Sequence, residues 1–139
     1  MKTVLCSRTR PSQIGEEIYD GGFGYTLDFS WAKWPKDLEG VHTLNGCFDP
    51  EGNLYVATEN PENPVVIFSP EGEYLRSIGA GLFKKAHSVF LTPHRTILTA
   101  DTSPGYHVIR EITMDGELVY DFGTLGQPGD SGYDLNYLK

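Results

Sequence analysis

GCFDPEGNLYVATE, residues 46–59, sets an apolar run on either side of Asp49-Pro50-Glu51-Gly52. Proline fixes φ and glycine accepts positive φ, so these four residues read as a tight turn joining two strands. NPVVIFSPEGEYLRSIG, residues 63–79, repeats the device around Ser69-Pro70-Glu71-Gly72. The same two-part pattern then recurs as HSVFLTPHRTILTAD (87–101) and YHVIREITMDGELVYDFG (106–123). Pro50 and Pro93 lie 43 residues apart, Glu59 and Asp101 lie 42 apart, and the pairs Gly72/Gly116 and Gly79/Gly123 each lie 44 apart. A period of 42 to 44 residues with four short strands per unit fits a propeller blade.

The expected strands of the first unit are Leu44–Phe48, Leu54–Thr58, Val65–Phe68 and Tyr74–Ile78. Those of the second are His87–Leu91, Thr96–Ala100, His107–Ile112 and Leu118–Phe122. A meander that is apolar on both faces must stack between neighbours. A β-sandwich would also use short strands and hairpins, but the fixed period favours the propeller.

The rest of the composition agrees with an all-β chain. Sixteen glycines and nine prolines accompany short Val, Ile, Tyr and Phe runs, and no dozen residues keep a helical apolar period. The net charge of -8 argues against nucleic acid, whose affinity rests on Lys and Arg displacing counterions. No apolar run is long enough for a membrane span, so no membrane partner is expected and a cytoplasmic setting is the default. Cys6 and Cys47 form no CxxC pair, and a bridge between them stays open as an alternative.

DPEGNLYVATE (49–59), VVIFSPEGEYLRSIGAGLFKKAHSVFL (65–91) and VIREITMDGELVYDFGTLGQPGDSGY (108–133) resemble NHL repeats. In particular they resemble the six-bladed β-propellers related to peptidyl-α-hydroxyglycine α-amidating lyase, over about Tyr25 to Tyr133. GAGLFKKAH (79–87) and GTLGQPGDSGY (123–133) are the most specific parts. YTLDFSWAKWP (25–35) resembles the N-terminal strand that closes such rings. The resemblance implies a partial propeller: a closing-strand region at 18–34, blade 1 at 43–79, blade 2 at 86–123 and an inter-blade tail at 124–139. Two blades leave sheet faces uncovered, so the expected partners are the remaining blades of a longer propeller or other copies of the chain, with a protein or peptide ligand beyond them. Partial disorder at Met1 to Ile18 and after Gly126 is a further expectation.

The lyase of this family uses zinc held by three histidines, a calcium, and a catalytic tyrosine and arginine. Carried over residue by residue, His87 matches one zinc histidine, and Gly46 and Val89 match backbone calcium contacts. The other histidines and the tyrosine belong to later blades. One imidazole does not make a zinc site, so the residues themselves call for no cofactor. Glu59 stands where the arginine would be, and a carboxylate cannot do a guanidinium's work on an anionic substrate. The expected function is therefore a noncatalytic binding or assembly scaffold, with a metal-dependent C–N lyase needing further blades as the alternative.

The other polar groups have modest readings. His42, His94 and His107 are expected to be solvated or hydrogen-bonded, and the resemblance implies that Asp101, after TILTA, ties neighbouring loops as a carboxylate often does in NHL blades. Glu59, Glu62 and Asp101 would form an acidic rim for a cation only if they converged. ENPENP (59–64) reads as a rigid hairpin loop, and Lys84-Lys85 is too short for a basic patch. Cys47 reads as a small core residue, Ser88 faces away from His87, and GGFGYT (21–26) reads as a turn with no phosphate-binding helix after it.

Overall fold

The structure, a computed structural model, describes residues 17–20, 23–26, 28 and 30–129. The described residues form strands and turns with no helix. A hairpin, β1 (Glu17–Asp20) and β2 (Phe23–Thr26), comes first. Blade 1 follows with β3 (Thr43–Phe48), β4 (Leu54–Thr58), β5 (Val65–Phe68) and β6 (Tyr74–Ile78). Blade 2 has β7 (Phe90–Leu91), β8 (Thr96–Asp101), β9 (Val108–Thr113) and β10 (Leu118–Phe122). Each blade is a four-stranded antiparallel meander in chain order, and the described residues form no closed ring.

One five-residue turn, used four times, explains why both blades fold alike. At Asp49–Asn53, Ser69–Glu73, Thr92–Thr96 and Thr113–Glu117 the first residue's N–H donates to the fifth residue's carbonyl, and the fourth N–H donates back to the first carbonyl. The side-chain oxygen of the first residue caps the same loop, as in Asn53 N–H to Asp49 Oδ1 at 2.7 Å and Glu117 N–H to Thr113 Oγ1 at 3.1 Å. The fourth residue needs positive φ: Gly52, Gly72 and Gly116 supply it, and Arg95 alone adopts it, at φ 61°, with a side chain. That conformation costs a non-glycine residue about 1–2 kcal/mol.

The stacking is asymmetric. One face of blade 1 carries Val56, Val66 and Phe68 and is capped by the segment that holds Trp31, Trp34 and Leu38. Lys33 N–H donates to Gly72 O at 2.8 Å and Trp31 Nε1 to Pro70 O at 3.3 Å, which ties the cap to the β5–β6 turn. The opposite face, with Tyr55, Ala57, Val65, Ile67 and Ile78, meets Ile97 and Ile112 of blade 2 across Phe83, Ala86 and Val89. Burial of each large side chain here contributes about 1.5–3 kcal/mol relative to exposure. Arg76 fastens the same junction, donating to Met114 O and Asp115 Oδ1 at 2.9 Å each.

Three expectations need correction. The inner strand of blade 2 begins at Phe90 rather than His87, because side chains intercept its ladder: Ser88 Oγ takes the Ala100 N–H at 3.3 Å and Asn45 Oδ1 takes the Val89 N–H at 3.0 Å. Strand β9 begins at Val108 rather than His107, whose φ of 49° breaks the extended run. In GGFGYT the last four residues are strand β2, and that strand pairs with β1. Residues 1–16 and 130–139, where disorder and most of the tail were expected, lie outside the described residues, as does Cys6.

Candidate functional site

Antiparallel strands send the β4–β5 loop, the connector between blades and the β8–β9 loop to one end of the sheets, opposite the four repeated turns. Most of the polar candidates meet there. Glu59 N–H donates to His42 O at 3.0 Å, and its carboxylate lies 3.1 Å from Lys85 Nζ and 3.4 Å from His42 Nδ1. The hydrogen bond from Lys85, followed by that from His42, holds the Glu59 carboxyl below the usual carboxylate range. Glu59 is thus the centre of a small polar network, with the Lys85 ammonium and the His42 ring already beside its carboxylate.

Asp101 is fully buried and points inward. Its Oδ2 accepts the N–H groups of Lys84 at 2.6 Å and Lys85 at 3.0 Å, and its Oδ1 accepts Ser103 N–H at 2.8 Å. One carboxylate therefore locks the inter-blade connector to the β8–β9 loop. Arg110, 7% exposed, does the complementary work: it donates to Leu82 O and, at 2.9 Å, to Asp121 Oδ1, while its guanidinium lies 6.0 Å from the Phe83 and Tyr106 rings. Burial of this charge is tolerable because it is paired and hydrogen-bonded.

The remaining candidates stay apart. His87 is exposed, with its N–H on Ala100 O at 2.8 Å. His94 is exposed in the β7–β8 turn, and His107 Nδ1 is buried without a hydrogen-bond partner among the described residues. Gly46 and Val89 lie on neighbouring inner segments, joined by the hydrogen bond that the Val89 N–H donates to Asn45 Oδ1. Glu62 is exposed beside Asn60, whose Oδ1 accepts its N–H at 2.9 Å. Among the described residues no three His, Cys, Asp or Glu side chains converge as a metal ion requires. The described donor set thus does not fit a three-histidine zinc centre.

No family model matches the chain, and no curated protein does. Among solved structures, a protein of unknown function from Bacteroides caccae is similar at 15% identity, with a TM-score of 0.46. The match covers 71% of this chain and 34% of that one, so the chain spans about a third of its length. No helix among the described residues is long and apolar enough to cross a membrane.

Two groups at the blade 1 face are expected to make stability depend on alkaline pH. Burial first, then the Asp49 charge, raises the Tyr55 hydroxyl pKa, and burial raises that of the Cys47 thiol, which has no disulfide partner among the described residues. Folding therefore favours the neutral forms. Their contribution is full below the unfolded thiol and phenol values and is lost as pH rises through the higher folded-state values. Urea midpoints are expected to fall above about pH 9. Cys47→Ala should flatten the lower part of that decline, and a midpoint that holds steady to pH 11 would contradict it.

The residues missed in the sequence are Arg110, Asn45 and Arg95. Arg110 had a signal: in VIREIT it shares the period of Val108 and Ile112, which point inward. Asn45 had none, because its partner Val89 lies 44 residues away, just before the inner strand of the other sheet.

Proposed function

We propose that the chain is an NHL-type propeller segment that acts as a noncatalytic assembly scaffold, with the outer face of blade 2 as its docking surface. The observation that carries this reading is a comparison of repeat-equivalent faces. On blade 1 the face formed by Cys47, Tyr55, Ala57, Val65, Ile67 and Ile78 is covered by blade 2. The corresponding positions on blade 2 are Phe90, Leu98, Ala100, Ile109, Glu111 and Phe122, joined by Tyr120, and no described sheet covers them. Tyr55 is 4% exposed, whereas Phe90 is 60%, Tyr120 58% and Phe122 44% exposed. Tyr120 and Phe122 pack edge to face, 4.8 Å between centroids, on an apolar patch of the kind that marks an interaction surface.

The partner that fits is another blade, from a longer propeller or a second copy. Native mass spectrometry tests both assembly and metal content. The expected result is metal-free chain in associated species that revert to monomer in Tyr120→Glu/Phe122→Glu, whose sites are already exposed. One zinc per chain, lost on His87→Ala, would overturn the reading in favour of a lyase-like enzyme; a wild-type monomer at tens of micromolar would remove the assembly role.

A further inference from the structure

At the opposite end of the sheets from Glu59 and Asp101, the β3–β4 and β7–β8 turns face each other across the blade junction. They enclose a cleft of about 470 Å³, within the range of small-molecule sites. Its apolar wall is Phe48, Leu91 and Met114, with Pro50 and Pro93 at the turns. Its polar side holds Arg95, Glu51 and Asp49. Both Asp49 oxygens are engaged by Asn53 at 2.7 Å, so Asp49 has little to offer a ligand.

Arg95 and Glu51 differ in this respect. Their side chains are 68% and 51% exposed, and they make a single contact, Nη1 to Oε1 at 3.1 Å. A guanidinium has five donors, and the others make no hydrogen bond among the described residues. Arg95 is also the one side chain placed where the three sister turns use glycine. A strained conformation kept against an easy glycine alternative is the pattern of a functional position.

We propose that this cleft binds a zwitterionic small molecule with an apolar side chain, of the class of a free aromatic or aliphatic α-amino acid. Its carboxylate sits on Arg95, its ammonium on Glu51, and its side chain against Phe48, Leu91 and Met114. Alternation of the four charges satisfies both protein groups without leaving either unpaired. Neither a simple anion nor a simple cation does so, since each would meet a like charge from one member of the pair. The site is independent of the blade 2 outer face.

The test is a titration of the full chain with L-phenylalanine, N-acetyl-L-phenylalanine and L-phenylalaninamide, followed by NMR at Phe48, Leu91 and Met114. Phenylalanine is expected to bind about tenfold more tightly than either analogue, the worth of one charge-assisted hydrogen bond at an exposed position. Arg95→Gly should weaken phenylalanine about tenfold, erase its advantage over the amide, and leave the thermal midpoint unchanged or higher. Glu51→Gln should erase the advantage over the N-acetyl form. No saturable shift up to about 10 mM, equal binding of all three probes, or unchanged affinity in Arg95→Gly would overturn the assignment.

Discussion

Asp101→Ala is expected to cost about 3 kcal/mol of stability, because it leaves three backbone N–H groups without their acceptor, each worth about 1–3 kcal/mol when buried and at the low end where water can enter. The loss reaches beyond one loop. Lys84 and Lys85 belong to the connector that carries Phe83 and Ala86 between the blades, so freeing their N–H groups loosens the packing of blade 2 on blade 1. Asp101→Asn keeps one acceptor oxygen and should lose about half as much. Urea unfolding measures both, and a loss under about 1 kcal/mol for Asp101→Ala would show that the carboxylate is not the lock described here.

Gly72→Ala is the other large effect. The new Cβ would lie 1.8 Å from Trp31 O and 2.7 Å from Trp31 C, at a φ of +79°. The turn cannot keep both its shape and the cap, so the Trp31–Leu38 segment must lift from Val66 and Phe68. Gly40→Ala is the matched control: its φ is +78°, yet nothing lies within 4 Å of the added carbon. Gly40→Ala should cost only the backbone term, about 1 kcal/mol, and Gly72→Ala about 3 kcal/mol or more. Trp31 and Trp34 are the chain's two tryptophans, so fluorescence reads the cap directly. A red shift in Gly72→Ala alone is the expected result, and identical spectra for the two variants would contradict the cap.

The meander was legible because its turns are written in residues with few conformational options. Asp-Pro-Glu-Gly, Ser-Pro-Glu-Gly and Met-Asp-Gly fix where strands stop, and β4, β5, β6 and β10 begin and end where the turn chemistry places them. The errors fall where side chains from distant positions override the local pattern. Asn45 captures the Val89 N–H and shortens β7, an event that no window around His87 contains. The cap departs from expectation for a related reason. YTLDFSWAKWP (25–35), expected as a ring-closing strand, instead ends β2 at Thr26 and from Ser30 runs as turns that cap blade 1, held by contacts to a turn some 40 residues ahead.

The polar residues follow the same logic. The expectation that Asp101 ties loops rests on its resemblance to a carboxylate often carried by NHL blades, and Asp101 does accept from Lys84, Lys85 and Ser103. Arg110 was not legible, because a charged residue between Ile109 and Glu111 reads as outward-facing until the phase of Val108 and Ile112 is considered. Glu59 was read by its departure from the arginine of the resembling lyases, and the structure gives it a different occupation, between Lys85 and His42.

The stacking order is tested most directly by amide hydrogen exchange, read strand by strand in dilute solution. Blade 1 lies between the cap and blade 2, so β4 and β5 should exchange most slowly, while β10, an edge strand with Leu118, Val119, Tyr120 and Phe122 all exposed, should be the fastest strand of either blade. Protection of β10 equal to that of β4 and β5 would contradict an open outer face on blade 2.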